Sequence, residues 1–152
     1  MMKYQSKCLR DTAILAEKLA GLLEVGQVVL LTGDLGAGKT AFVQSFAQAI
    51  GVQEQVTSPT FTILQSYQGR VPLYHIDAYR IASSKELLNL GLEEAIATDG
   101  ITFIEWPEQL TELLPDEALL ITISRTAEDS ERSFSLNAVG KVYEAILEAL
   151  QF

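Results

Sequence analysis

Gly33-Asp34-Leu35-Gly36-Ala37-Gly38-Lys39-Thr40 spells G-x-x-x-x-G-K-T, a residue set suited to holding a phosphate chain. The glycines let consecutive backbone N–H groups turn inward on phosphate oxygens. The helix that should follow adds the partial positive charge of its N-terminus. Lys39 has the length to reach the outer phosphates, and the Thr40 hydroxyl can ligate Mg²⁺. All eight residues are therefore candidate contacts for a nucleoside triphosphate, and Lys39 is a candidate catalytic group. The flanking pattern fits: Val28 to Leu31 is an apolar, strand-like run, and Ala41 to Ile50 has helical spacing.

Triphosphate chemistry also needs a carboxylate that holds Mg²⁺ or orders water, usually at the C-terminal end of a neighbouring strand. Two apolar runs end in acids, Val71 to Ile76 before Asp77 and Ile101 to Ile104 before Glu105. These are the two candidates. Thr57-Ser58-Pro59-Thr60-Phe61 follows the loop helix, where nucleotide switches lie in such folds, and it reads equally well as an ordinary Ser/Pro turn. His75 alternates with Asp77 along one strand face and is expected to be a packed or hydrogen-bonded residue. Trp106, after Glu105, fits either a core plug or an exposed partner contact.

These groups need a sheet to present them. Residues 11 to 24 are expected to form a helix capped by Asp11 or Thr12, with Ile14, Leu15, Leu19, Leu22 and Leu23 as its apolar stripe. Val28 to Leu31 lacks polar alternation and reads as a central parallel strand. The loop helix should bury Phe42, Val43, Phe46, Ala49 and Ile50 and end at Gly51. Phe61 to Tyr67 and Val71 to Ile76 flank Gly69 as an antiparallel hairpin, so the sheet should be mixed. Ser83-Ser84-Lys85-Glu86 is a capping box for a short helix, with another helical turn or two over Leu92 to Ala97. Residues 118 to 124 and 132 to 139 read as two further strands, and Lys141 to Leu150 as a closing helix. The fold class is α/β: a single phosphate-loop NTPase domain over residues 1–152, three-layered, with a mixed central sheet and helices on both faces.

Composition narrows the function. Hydrophobic residues make up 48% of the 152, enough for a real core. No run is long enough to cross a bilayer, the N-terminus lacks the apolar core of a signal peptide, and one cysteine, Cys8, permits no internal disulfide. A reducing, cytoplasmic setting is expected. The net charge of −9 leaves no basic footprint for gripping nucleic acid alone, so any role in RNA metabolism should run through protein partners.

The order G-D-L-G-A-G-K-T, T-S-P-T-F, Y-H-I-D-A-Y-R, I-E-W-P resembles the TsaE (YjeE) family over nearly the whole chain. These are small bacterial ATPases required for threonylcarbamoylation of adenosine in tRNAs that read ANN codons. The resemblance implies that the loop binds ATP and that Thr40 and Glu105 ligate Mg²⁺. It implies that Asp77 is needed for hydrolysis and that Thr60 belongs to a switch. It further implies TsaB-like and TsaD-like partner subunits, reset by hydrolysis between turnovers, which an acidic protein can join without tight tRNA contact. Ser6 to Thr12 matches only loosely the segment that cradles the base in such proteins. Arg132 is the counterpart of a basic residue bordering the nucleotide near the late hairpin. The alternatives are a small-molecule kinase, against which stands the lack of any arginine between Ser83 and Arg125, and a non-catalytic nucleotide-dependent scaffold.

Overall fold

The structure, a computed structural model, describes residues 1–59, 64–79, 99–110 and 114–152. The strands are β1 (Met2–Ser6), β2 (Val28–Thr32), β3 (Leu64–Gln68), β4 (Pro72–Asp77), β5 (Ile101–Glu105), β6 (Ala118–Arg125) and β7 (Arg132–Val139). They form one seven-stranded sheet in the order β1-β7-β6-β2-β5-β4-β3. β4, β5, β2 and β6 are parallel neighbours, while β3, β7 and β1 add antiparallel edges. The sheet is mixed, as the Gly69 hairpin requires.

β2 occupies the centre for the reason its sequence suggests. Val28, Val29, Leu30 and Leu31 are all buried, odd and even positions feeding different hydrophobic clusters. Val29 and Leu31 share a cluster with the helices α1 (Leu9–Ala20), α2 (Lys39–Ala49) and α3 (Lys141–Ala149). Val28 and Leu30 join Ile76, Ile104 and Ala118 in the other. The Val28 N–H donates to the Tyr143 hydroxyl at 2.8 Å, tying α3 to the start of the central strand. Among the described residues no helix is long and apolar enough to cross a membrane. The short helices expected over Ser83 to Leu90 and Leu92 to Ala97 lie outside the described residues.

Three local expectations need correction. β1 was not anticipated; Met2–Ser6 alternates in exposure and pairs antiparallel with β7, a short edge strand whose signal is only five residues long. α1 starts at Leu9 behind Cys8, and neither Asp11 nor Thr12 is its N-cap. Both side chains reach backward instead, Asp11 Oδ2 to the Lys7 N–H at 2.9 Å and Thr12 Oγ1 to Ser6 Oγ at 2.7 Å. α2 buries Ala47, and Ala49 is exposed. Its predicted stop is present: Gly51 has φ +86° and the Val52 N–H returns to the Ala47 carbonyl at 3.0 Å, a Schellman-type closure.

Candidate active site

The phosphate-loop sequence is strung between the central strand and a helix anchored by aromatic packing. Phe42 and Phe46 are fully buried, with Phe46 4.7 Å from Phe103 and Phe42 5.7 Å from Phe134 between ring centroids. Gly33, Gly36 and Gly38 have φ of 144°, 79° and 110°, a region L side chains rarely adopt. At Gly33 space forbids a side chain as well, since a Cβ would lie 2.4 Å from the Ile123 carbonyl oxygen. Lys39, first residue of α2, is 5% exposed; its Nζ donates to the Gly33 carbonyl at 2.6 Å and lies 3.9 Å from the centroid of the Trp106 ring. Burial lowers the Lys39 pKa, and the negative charges of Glu105, Asp77, Glu108 and Asp34 oppose that shift. Trp106 is half-buried and so no core plug; it has a left-handed φ of 58° and packs between Lys39 and Tyr79, whose ring is 5.0 Å away.

Strand register brings the two candidate acids together. Asp77 and Glu105 are paired across parallel β4 and β5, so they project from one sheet face. Behind them that face reads Leu73 and His75 on β4, Ile101 and Phe103 on β5, apolar except at His75. Asp77 and Glu105 are 6% and 4% exposed. Asp77 Oδ1 accepts the Tyr79 N–H at 3.0 Å, and His75 Nε2 is 2.5 Å from Glu105 Oε2. Lys39, Thr40, Ser58, Asp77 and Glu105 line one cavity of about 200 Å³. Its hydroxyls and carboxylates are hard oxygen donors, a set that suits Mg²⁺. Thr60 lies outside the described residues, while Ser58 of the same segment borders the cavity.

Across the loop lies a larger cavity of about 560 Å³, lined by Leu9, Ile123 and Phe134 with Cys8, Thr12 and Arg132. Gly38 and Ala41 border both cavities, so the loop forms their shared wall. Arg132 Nε donates to the Ala37 carbonyl at 2.9 Å, and one of its Nη groups to the carbonyls of Asp129 and Glu131 at 2.6 and 2.7 Å. Arg125 donates to the Gly36 carbonyl at 3.0 Å. Two arginines of the β6–β7 hairpin thus hold the outer rim of the loop. The family resemblance pointed to Arg132, whereas Arg125, Ile123 and Phe134 were not anticipated as lining the loop or this cavity. Ile123 and Phe134 are register partners, so alternation along the two strands could have paired them; it could not say that this end of the hairpin meets the loop.

The comparisons with known proteins agree with one another. Residues 6–134 match the family model described as threonylcarbamoyl adenosine biosynthesis protein TsaE. The tRNA threonylcarbamoyladenosine biosynthesis protein TsaE of Bacillus subtilis is 41% identical over 150 residues, covering 98% of this chain and 93% of the relative. The protein of the same name from Treponema pallidum is 41% identical over 135 residues, covering 89% and 99%. A crystal structure of Bacillus subtilis YdiB superposes with a TM-score of 0.84 at 38% identity, over 97% of this chain and 91% of that one. With a phosphate loop, paired strand-end acids and this likeness along its whole length, the chain belongs to the TsaE family.

Proposed function

We propose that this chain binds Mg²⁺-ATP across the phosphate loop and hydrolyses it as the accessory ATPase of tRNA threonylcarbamoyladenosine synthesis. The observation that carries the reading is the convergence of Lys39, Thr40, Asp77 and Glu105 on one cavity beside the loop. The base occupies the cavity of about 560 Å³ bordered by Leu9, Ile123 and Phe134, whose volume and apolar lining suit an aromatic ring. The backbone N–H groups from Gly33 to Thr40, Asp34, Leu35 and Ala37 among them, cradle the phosphates, with Arg132 at the rim. Lys39 exchanges the Gly33 carbonyl for outer phosphate oxygens. Thr40 and Glu105 hold the metal, and Asp77 orders the attacking water. When bound, Mg²⁺ neutralises charge on the phosphates as the terminal bond breaks. Thr60 follows the state of the terminal phosphate as part of the switch segment.

TsaB-like and TsaD-like proteins are the partners, met in the cytoplasm, and hydrolysis resets their complex between turnovers. The net charge of −9 supports docking on proteins in preference to gripping tRNA. The test is phosphate release by the purified chain, alone and with the two partner subunits. Release that rises on adding them, and vanishes in Lys39→Ala, is the expected result. Transfer of the phosphate to a metabolite in place of water overturns it.

A further inference from the structure

The chemistry above leaves one buried side chain without a task. His75 is 0% exposed, and among the described residues its Nδ1 has no hydrogen-bond partner. Its Nε2 meets Glu105 Oε2 at 2.5 Å. A carboxylate oxygen accepts hydrogen bonds, so Nε2–H donates to Glu105 and Nδ1 is the nitrogen left without a partner among the described residues. If this position served packing alone, an apolar side chain would match its neighbours Leu73, Ile101 and Phe103 and would bury no orphaned nitrogen. What histidine supplies here and an apolar residue could not is the bond to Glu105.

We propose that His75 is a positioning residue: it pins one oxygen of Glu105 so that the other is presented to the cavity for a divalent cation. The proposal rests on the reading of Glu105 as a metal ligand. A glutamate has three side-chain torsions to order, and at β5 the hydrogen bond on its carboxylate comes, among the described residues, from His75. Asp77 differs in that the Tyr79 main-chain N–H donates to its Oδ1. At Glu105 the bond comes from a side chain that can be replaced. Donors behind a ligating carboxylate set its orientation and with it the affinity for the metal.

The test uses the full chain with a non-hydrolysable ATP analogue, measuring analogue affinity in EDTA and then during a Mg²⁺ titration. His75→Leu is expected to bind the analogue in EDTA about as the parent does but to need roughly tenfold more Mg²⁺ at the midpoint. His75→Gln, whose amide nitrogen reaches about as far as Nε2, should restore the midpoint. If the leucine variant does not fold, His75→Asn takes its place, since it is polar but too short to reach Glu105. A folded leucine or asparagine variant with the parental midpoint overturns the proposal, as does a glutamine variant shifted as far as asparagine. Glu105→Gln is run alongside. If it too keeps the parental midpoint, Glu105 is no ligand and the reading beneath this proposal fails, a result distinct from failure at His75 alone.

Discussion

On one flank of the phosphate loop the β6–β7 hairpin and the start of α1 enclose about 560 Å³ lined largely by apolar side chains. On the other, the ends of β4 and β5 crowd a lysine and two carboxylates around about 200 Å³. The arginines of the first flank are spent on main-chain carbonyls of the loop, at Gly36 and Ala37. The lysine and the two carboxylates of the second are nearly buried, and at Lys39 burial lowers the pKa while the neighbouring acids oppose that shift. The difference separates two kinds of work. Apolar area and a fixed rim contribute equally to ground state and transition state, so they govern affinity. Buried charges aimed at the outer phosphates act most where charge develops, so they govern turnover.

That division breaks most visibly at Lys39. Lys39→Ala should abolish measurable ATP binding, because Asp77 and Glu105 then face the phosphates without the lysine's charge to offset theirs. Titration calorimetry checks this, and binding within about threefold of the parent contradicts the role given to the lysine. Next come Asp77→Asn and Glu105→Gln, expected to keep most ATP affinity while losing about 10²–10³-fold in turnover, the scale of one removed electrostatic group. Phosphate release unchanged in both variants ends the assignment of the acidic flank. On the opposite flank, Arg132→Ala should weaken ATP about tenfold, or about 1.4 kcal/mol, with turnover at saturation nearly unchanged. A fall in saturated turnover comparable to that of the acid variants erases the distinction between flanks.

The sequence made the acidic flank far more legible than the apolar one, and the reason is chemical. G-x-x-x-x-G-K-T and an acid at a strand end are types constrained by what they touch, so Lys39, Thr40, Asp77 and Glu105 could be named one by one. The lining of the apolar cavity is constrained only to be apolar, and Ile123 and Phe134 resemble any inward residue of a strand. Their place depends on β6 lying beside β2, a long-range pairing that no local pattern records. The same holds for Arg125, whose partner is a backbone carbonyl 89 residues away. His75 was read correctly as hydrogen-bonded, but its partner on β5 follows from register. β1 escaped because an edge strand of five residues carries little periodicity, and the α1 start because Asp11 and Thr12 point back at Lys7 and Ser6.

The smallest expected effect is a pH dependence confined to the acidic flank. The folded protein holds the Lys39 pKa below its ordinary value, chiefly by burial. Carrying the charge therefore costs the nucleotide-free protein stability at pH below the folded pKa, and that cost fades as pH rises through it toward the unfolded value of about 10.5. Phosphates reverse the shift by favouring the ammonium, so ATP binding takes up a proton in the alkaline range. ATP affinity should accordingly decline as pH rises through the folded pKa, beginning below the usual lysine range. Adenosine, which lacks phosphates and reaches only the apolar cavity, should show no such decline. Parallel fluorescence titrations of the two ligands from neutral to alkaline pH make the comparison. A shared slope would mean that the pH effect arises from the fold or the loop rim, whereas a slope for ATP alone locates it at Lys39 and keeps the two flanks energetically separate.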